Sequence, residues 1–247
     1  MKKALLKNSL KAITKNKKRF LSMFFMALLG VGFFVGLTAA SPDMEDTLDK
    51  YLDNTKTYDI NILATLGLTD DDIEKLEEIE QIEAAYGVQY KDYVIEIESK
   101  DYVAQIIEYN ENVNTPYLIE GRMPENNTEC LIEQKFLEYN NYEIGDKINI
   151  KTEDEEVVQK ELTIVGICES SLYISNERGN TNLGTGTINC YIFAKDIFNF
   201  DYYTTIYAKV KGAEELETNK KEYEDLIEQA KNKIEEIKTR KRRCKIQ

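Results

Sequence analysis

The feature that most restricts how this chain can fold is a run without any charge at residues 20–40, FLSMFFMALLGVGFFVGLTAA. As a helix with a rise of about 1.5 Å per residue, these 21 residues span about 31 Å, the thickness of a bilayer's hydrocarbon core. Eleven of them are Phe, Leu or Val, and together they favour membrane insertion by about 3–6 kcal/mol before the polar and small residues subtract from it. The run therefore predicts a transmembrane helix.

The charges on either side of this run predict its orientation. Residues 1–19 contain eight Lys or Arg residues and no acid, so the rest of the chain carries 24 cations against 45 acids, a net charge of −21. Because cations that flank a span stay in the cytoplasm, we expect 1–19 to be a basic cytoplasmic segment of a protein of the cell membrane. Residues 41 onward are then extracytoplasmic, and so acidic a region argues against nucleic-acid binding.

A cleaved signal peptide is the competing interpretation of residues 20–40, since residues 38–41 are small enough for a cleavage site. The apolar part of a signal peptide is about 7–15 residues long, however, and this run is longer. An uncleaved span is therefore favoured. Gly32, Gly36 and Ala40 recur every four residues, which either lets another membrane helix approach closely or reflects the high glycine content of spans.

The region after the span predicts three parts: an amphipathic stalk at 41–56, an extracytoplasmic α+β core domain at 57–212, and a charged C-terminal helix with a basic tail at 213–247. Thr69 followed by three aspartates predicts the start of a helix with Ile73, Leu76 and Ile79 on its buried face. A calcium loop is the weaker alternative because the EF-hand spacing is absent. The predicted strands are 58–63, 88–96, 102–109, 129–133, 147–151, 157–168, 189–194 and 205–211.

Within the C-terminal helix, apolar residues approximate a 4-3-4-3 spacing that is typical of a narrow coiled-coil seam. The seam consists of Tyr223, Leu226, Ile227, Ala230, Ile234 and Ile237. A seam this narrow needs a partner helix; the stalk at Met44–Leu52 is one candidate, and sequence missing from the C-terminus is another. The helix Leu216–Ile237 would then return toward the membrane beside the stalk.

Several short motifs after the span occur in an order that is characteristic of one family. They are Glu120-Gly121-Arg122-Met123-Pro124, Glu129-Cys130-Leu131-Ile132, Ile144-Gly145-Asp146-Lys147-Ile148, Leu162 to Ile167, Ser170 to Ser175, Glu177-Arg178-Gly179, Gly184-Thr185-Gly186 and Phe198 to Tyr207. Together with the basic N-terminus and the span, this order resembles the N-terminal part of FtsX-like/MacB-like ABC transporter permeases. The resemblance extends to about Lys238.

The resemblance implies a non-enzymatic membrane component that works with a separate ABC ATPase. In that family, ATP hydrolysis by the partner moves an external core domain for export, lipoprotein handling or regulation. The resemblance also implies contact with other transmembrane helices or a second permease copy. Since the sequence has one span, we expect a fragment, either truncated or the first part of a split permease. A single-pass binding or sensor protein is the alternative function.

The residues needed for common catalytic sites are missing or do not occur in the right pattern. Without histidine, the chain has no Ser-His-Asp or Cys-His pair and no His-ligated metal site, so an anchored hydrolase is the least favoured function. Neither a P-loop nor a dinucleotide fingerprint is present, and the glycines at 179–186 indicate a surface loop. We therefore expect no catalytic, cofactor-binding or metal-binding residues.

Cysteine and tyrosine each leave two interpretations open. Cys168 and Cys190 lie in predicted strands and could form a disulfide, but buried free thiols are favoured. All 16 tyrosines follow residue 50. The pairs Tyr90/Tyr93 and Tyr202/Tyr203 fit either an aromatic recognition surface or half-buried strand positions.

Overall fold

The computed structural model describes Lys11 and residues 15–138, 140–153, 155–174 and 179–244, with side-chain surroundings given as far as residue 236. Two compact units divide between Leu48 and Asp49. Some residues on which the sequence predictions rest lie outside the described residues: Lys2, Lys3, Lys7, Tyr139, Ser175, Glu177, Arg178 and Lys245.

In the described residues, helices and strands alternate in a mixed order, which confirms the α+β class. The elements are α1 (Lys17–Asn54), β1 (Ile60–Leu68), α2 (Asp70–Glu77), β2 (Ile82–Val88), β3 (Tyr90–Ile97), β4 (Lys100–Glu108), β5 (Tyr117–Gly121), β6 (Glu129–Glu133), α3 (Gln134–Glu138), β7 (Lys147–Lys151), β8 (Glu161–Glu169), β9 (Cys190–Ala194), β10 (Tyr203–Val210) and α4 (Lys221–Cys244).

The first helix, α1, is long and apolar enough to cross a membrane. It has 38 residues, and its most apolar window has a mean hydropathy of 2.3 with none of its residues buried by protein. The helix contains the whole run 20–40 and continues through Pro42 to Asn54. The predicted N-terminal helix is therefore confirmed, and residues 41–54 extend it without a break.

Three antiparallel strands form the smaller sheet, in the order β1-β10-β2. Its apolar residues pack with α2 and α4 in one cluster, to which Ile60, Ile82 and Ile206 contribute from the sheet and Leu76 and Ile79 from α2 and the residues after it. The predicted helix after Thr69 is confirmed. Both the N–H and the hydroxyl of Thr69 donate to the carboxylate of Asp72 at 3.2 Å. Asp72 therefore stabilises the N-terminal end of α2.

The larger sheet closes on itself. Among the described strands, pairing runs β5-β8-β6-β9-β4-β3-β7, and β7 also pairs with β8. Six strands thus form a barrel, with β5 added outside the ring. Alternate side chains point inward, and buried aliphatic residues such as Ile95, Ile106, Ile132, Ile148 and Ile192 fill the interior.

Gly166 lies where one edge of β8 changes partner. Residues 161–163 of that edge pair with β7, whereas residues 166–169 pair with β5. On the opposite edge, Cys130 pairs with Ile164 and Leu131 with Gly166, so Val165 is an inserted bulge residue. A Cβ on Gly166 would lie 2.7 Å from the carbonyl oxygen of Arg122. Gly166 therefore lies directly after a bulge and at a close approach of two backbones, both of which favour a residue without a side chain.

The bulge also explains why Cys168 and Cys190 do not form a disulfide. Leu162 and Ile164, before the bulge, belong to the barrel interior, whereas Cys168, after it, belongs to the outer layer, the buried cluster outside the barrel that includes Leu131, Tyr191, Phe193 and Tyr207. Because Cys190 faces the interior, the two thiols lie on opposite sides of the barrel wall. Cys130, Cys168 and Cys190 are buried and none of the three forms a disulfide, so the disulfide alternative is wrong.

The apolar seam of α4 packs with the small sheet. Ile227 and Ala230 are buried in the cluster of that sheet and α2, and Tyr223, Leu226 and Ile234 pack against it. The small sheet and α2 therefore bury the apolar face of α4, and a coiled coil is not confirmed. The side chain of Ile237 lies outside the described ones.

One predicted strand divides between two sheets, and most of β2 and all of β5 are strands that the sequence did not predict. The run 88–96 divides, because β2 ends at Val88 in the small sheet and β3 begins at Tyr90 in the barrel. Strand β5, at Tyr117–Gly121, was not predicted; four of its five residues are exposed, which leaves no alternating pattern to recognise.

Replacing Gly166 with Ala should destabilise the domain by about 1–3 kcal/mol, because the added methyl meets backbone atoms that cannot move aside without breaking strand pairing. Urea unfolding followed by circular dichroism measures the change. Gly36→Ala adds the same methyl in α1, where nothing lies within 4 Å, and should leave the unfolding of the domain unchanged. Equal effects of the two variants would contradict the role given to Gly166.

Ile227→Ala should lower the free energy of unfolding by about 2–4 kcal/mol, because it empties part of the cluster beneath α4. Glu228→Ala, at the next and exposed position, should change it by less than about 0.5 kcal/mol. A small effect at Ile227 would mean that α4 does not pack on the sheet in solution.

Candidate functional site

The candidate site is the terminal junction, defined as residues 49–59, 108–115 and 208–223, where both ends of the core domain's chain meet. Its first part is the end of α1. The N–H of Thr57 donates to the carbonyl of Leu52, and the N–H of Lys56 donates to that of Asp53, both at 2.9 Å. With Lys56 in the left-handed region at φ 50°, these bonds form a Schellman motif, which ends the helix in a fixed geometry.

The residues after α1 pair with the loop between β4 and β5. The N–H groups of Asn114 and Thr115 donate to the carbonyls of Lys56 and Thr55 at 3.0 and 2.9 Å. The Asn114 side chain accepts from the N–H of Tyr58 at 3.1 Å. Asn114 is itself in the left-handed region at φ 48°, a conformation that asparagine tolerates better than most residues. The end of α1 is therefore attached to the barrel by main-chain bonds.

Asp59 connects the two chain ends. Its carboxylate accepts from the N–H of Val210 at 2.7 Å and from the hydroxyl of Tyr223 at 2.9 Å. Lys209 lies 3.9 Å from the same carboxylate and donates to the carbonyl of Thr57 at 3.0 Å. One side chain before β1 thus holds the end of β10 and the first turn of α4.

A second carboxylate, which belongs to Asp49 on α1, also bonds to the residues near the start of α4. Asp49 accepts from the N–H and the hydroxyl of Thr218, just before α4, at 2.9 and 2.8 Å. The resulting concentration of acids affects nearby groups: burial, then Asp49 and Glu214, raise the pKa of Asp53. Burial, followed by Asp59, raises the pKa of Tyr223, so this hydroxyl keeps its proton and remains a donor.

Glu108 borders the same loop from the end of β4. Burial, and then the charge of Asp196, raise its pKa from 4.5 to about 7. A cavity of about 10 Å³ beside it is also lined by Asn110, Asn114 and Tyr207. The carboxyl of Glu108 is therefore the group of the junction whose charge changes near neutral pH.

The side chains of the junction make structural contacts. Asp49 and Asp59 bond to main-chain N–H groups and to hydroxyls, and no nucleophile–base pair occurs among the junction residues. Among the described residues, no group of three or more Cys, Asp or Glu side chains is arranged to hold a metal ion.

Residues singled out from the sequence are distributed over the fold. Tyr93 is buried in the barrel and Tyr90 packs in the outer layer, whereas Tyr202 is 39% exposed and Tyr203 donates to Asp70 at 2.9 Å. These tyrosines therefore do not form one recognition surface. The described glycine-rich residues 179–186 form a turn-containing loop in which half of the residues are exposed and none is buried, so a surface loop is found as predicted.

The Glu120–Pro124 motif has a structural role. Gly121 adopts a φ of +84° at the end of β5, and Arg122 then binds both carboxylate oxygens of Glu129, one of them at 2.7 Å. This hydrogen bonding, chiefly from Arg122, lowers the pKa of Glu129 to about 2. The motif fixes the connection between β5 and β6.

Residues 20–226 match the family described as MacB-like periplasmic core domain. The chain belongs to this family. The MacB-like core domain is a component of ABC transporter permease-type proteins, which are generally non-enzymatic and typically work with an ABC ATPase. The apolar helix α1 together with an extracytoplasmic-type domain fits a membrane protein with a single span. Comparison with curated proteins gave no match.

Three solved structures are similar to this MacB-like domain at 10–13% identity. The extracellular domain of the noncanonic ABC-type transporter YknZ from Gram-positive bacteria has a TM-score of 0.41, with 71% of this chain and 92% of that chain covered. The periplasmic region of MacB from Actinobacillus actinomycetemcomitans scores 0.37, covering 59% and 65%. A domain of a putative permease from Porphyromonas gingivalis scores 0.39, covering 59% and 63%.

The residues of the junction were not found from the sequence. Asp59 is one of 45 acids, and no spacing distinguishes it. Lys56 occupies a position where glycine is the usual signal for a helix end. The Tyr58-Asp59 pair directly before the apolar strand β1 is the one sequence feature that points to the junction, and such pairs are too common to identify a site.

Asp59→Asn should destabilise the MacB-like domain by about 1–3 kcal/mol, because an amide places a donor against the Val210 N–H or the Tyr223 hydroxyl. A double-mutant cycle with Tyr223→Phe should give a coupling energy of about 0.5–3 kcal/mol in urea unfolding. Asp225→Asn, on an exposed position of α4, is the matched control and should be near neutral. Additive effects of Asp59→Asn and Tyr223→Phe would show that the two groups do not interact.

Glu108 should make stability depend on pH. Because its pKa is raised from 4.5 to about 7 in the folded state, the folded protein binds more protons than the unfolded chain between these values, and stability falls as pH rises through this window. With screening, the loss is roughly 1–2 kcal/mol. Glu108→Gln should lose less stability between pH 4.5 and 8, whereas Glu111→Gln, on the exposed loop, should behave as wild type. Parallel pH profiles for all three proteins would contradict the raised pKa.

Proposed function

We propose that this chain is the N-terminal part of an ABC transporter permease subunit. Its extracytoplasmic domain would be moved by a partner ATPase for export, lipoprotein handling or regulation. Family membership supports the permease assignment. The observation that carries the mechanical role is the terminal junction, in which Asp59 joins the end of α1 to β10 and α4.

The junction suits this role because its contacts are short, directional and attached to main chain. A force applied along α1 meets a Schellman end and the paired loop, with no flexible linker in between. The same carboxylate contacts α4, so displacement of one helix relative to the other would strain bonds to Asp59 and Asp49. Helix movement would in this way reach the small sheet and then the barrel.

The proposal includes the organisation expected from the sequence. Residues 1–19 are the cytoplasmic segment, 20–40 the span, 41–56 the stalk, 57–212 the core domain and 213–247 the C-terminal helix and tail. Other transmembrane helices or a second permease copy would surround the span. No residue is assigned a catalytic, cofactor or metal role.

Labelling with a membrane-impermeant maleimide tests the orientation. In a Cys244→Ser background, in which the other three cysteines are buried, Asp201→Cys should react in intact cells because residue 201 is exposed in the domain. Lys15→Cys should react only after lysis, because it lies on the cationic side of the span. The reverse pattern would reject the proposed topology.

Coexpression with any ABC ATPase that is encoded beside the gene tests the partner. A tagged chain in maltoside micelles should retain that ATPase, and the Asp201→Cys variant should retain it equally, since position 201 is remote in sequence from the cytoplasmic segment. Failure to retain any such ATPase would favour the single-pass binding or sensor function.

A further inference from the structure

A cavity of about 310 Å³ lies on the outside of the barrel, beside the last turn of α1. This volume falls in the range of small-molecule sites. Tyr51 contributes from α1, while β8, β9 and the 3-10 turn Ser171–Tyr173 contribute the other aromatic and apolar side chains. Among these, Tyr191 and Phe193 are buried, and Tyr173 stacks on Tyr191.

Acids dominate the charge of this cavity. Glu133, Glu138 and Glu169 are among the lining residues, against Lys135 as the cation. Glu133 is 9% exposed, whereas Glu169 lies on the exposed rim. A carboxylate with little access to water attracts a cation more strongly than one on the surface.

The titration of nearby groups agrees with a negative potential inside the cavity. Burial, and then Glu169, raise the pKa of the Tyr51 hydroxyl. Burial, and then Glu133, raise the pKa of the Cys168 thiol. Burial opposes a charge of either sign, whereas the contributions of Glu169 and Glu133 oppose only a negative charge, so these two glutamates favour a cationic ligand over an anionic one.

We propose that this cavity binds an organic ammonium ion, meaning a positively charged nitrogen on an apolar body. The glutamates would balance the charge, and the tyrosine rings would contact the nitrogen's alkyl groups as cation–π partners. Phe193 and Tyr191 would pack against the apolar body. A bare metal ion fits less well, since no metal-holding group occurs in the described residues and the aromatic wall offers such an ion no oxygen ligands.

The site connects ligand binding to the first helix. Tyr51 belongs to the last turn of α1 and also contacts Tyr117 of β5, with ring centroids 6.3 Å apart. A bound cation would therefore touch the helix end that the terminal junction holds. The binding site itself is independent of the proposed permease function, because all its residues belong to the domain and binding needs no ATPase.

Titration of the full-length chain in uncharged maltoside micelles with benzyltrimethylammonium chloride tests the proposal. Isothermal calorimetry, corrected with protein-free micelles, should give saturable binding, whereas benzyl alcohol and phenylacetate should bind at least about 5-fold more weakly. Phosphatidylcholine must be left out, since its own trimethylammonium group would compete.

Matched variants locate the binding. Glu169→Gln and Glu133→Gln should each weaken binding by about 5- to 10-fold, whereas Glu120→Gln, an exposed acid on β5 outside the cavity, should not. Because Glu169 is exposed, Glu169→Gln should stay folded, so it still tests the proposal if Glu133→Gln unfolds. The proposal is overturned if no saturable binding occurs up to about 10 mM, if benzyl alcohol binds equally well, or if Glu169→Gln binds as tightly as Glu120→Gln.

Discussion

The pairing of β7 with β8 is the constraint on which the rest of the domain depends. A sheet of this size with two free edges would expose unpaired N–H and C=O groups, and the ring of six strands removes those edges. Closure requires one edge of β8 to pair with β7 along its first half and with β5 along its second half. That double use is possible because Gly166 has no side chain and because the bulge at Val165 turns the second half of the strand outward.

The same bulge determines what lies on each side of the barrel wall. Before it, Leu162 and Ile164 fill the interior; after it, Cys168 joins the outer layer with Tyr191 and Phe193. The outer layer in turn packs against the small sheet, because Tyr207 of β10 and Val88 of β2 are buried in one cluster with Phe193. The small sheet packs with α4 on its other side, so a local irregularity in one strand affects how the sheet that carries α4 sits on the barrel.

Buried and half-buried carboxylates serve different purposes in this acidic chain. Asp59 and Asp49 accept hydrogen bonds from main chain and so fix the two chain ends, while Glu129 fixes the β5–β6 connection through Arg122. Burial and the acid Asp196 dominate at Glu108, which is why its pKa moves upward where that of Glu129 moves downward. The glutamates of the outer cavity share its lining with aromatic rings instead, and this combination is the basis for the proposed cationic ligand.

Local patterns were enough for much of the fold. The uncharged run 20–40, the aspartates after Thr69 and the strands at 129–133 and 147–151 could all be recognised because each depends on neighbouring residues alone. The division of 88–96 between two sheets could not, since Gln89 carries no turn signal and the strand changes sheets without a loop. The coiled-coil interpretation of α4 was not confirmed, for a related reason: apolar spacing shows that a face is buried, but not whether a helix or a sheet buries it.

By itself, the sequence determined a long apolar helix, an acidic α+β domain and membership of a permease family, because hydropathy, charge and ordered motifs are properties of the chain. Only the tertiary structure decided that the larger sheet closes, that Cys168 and Cys190 lie on opposite sides of its wall, and that Asp59 joins the two chain ends. It alone also brought Tyr51 next to Glu169 and Tyr191. These features depend on contacts between residues far apart in the chain, which form only when strand register and bulges have been fixed together.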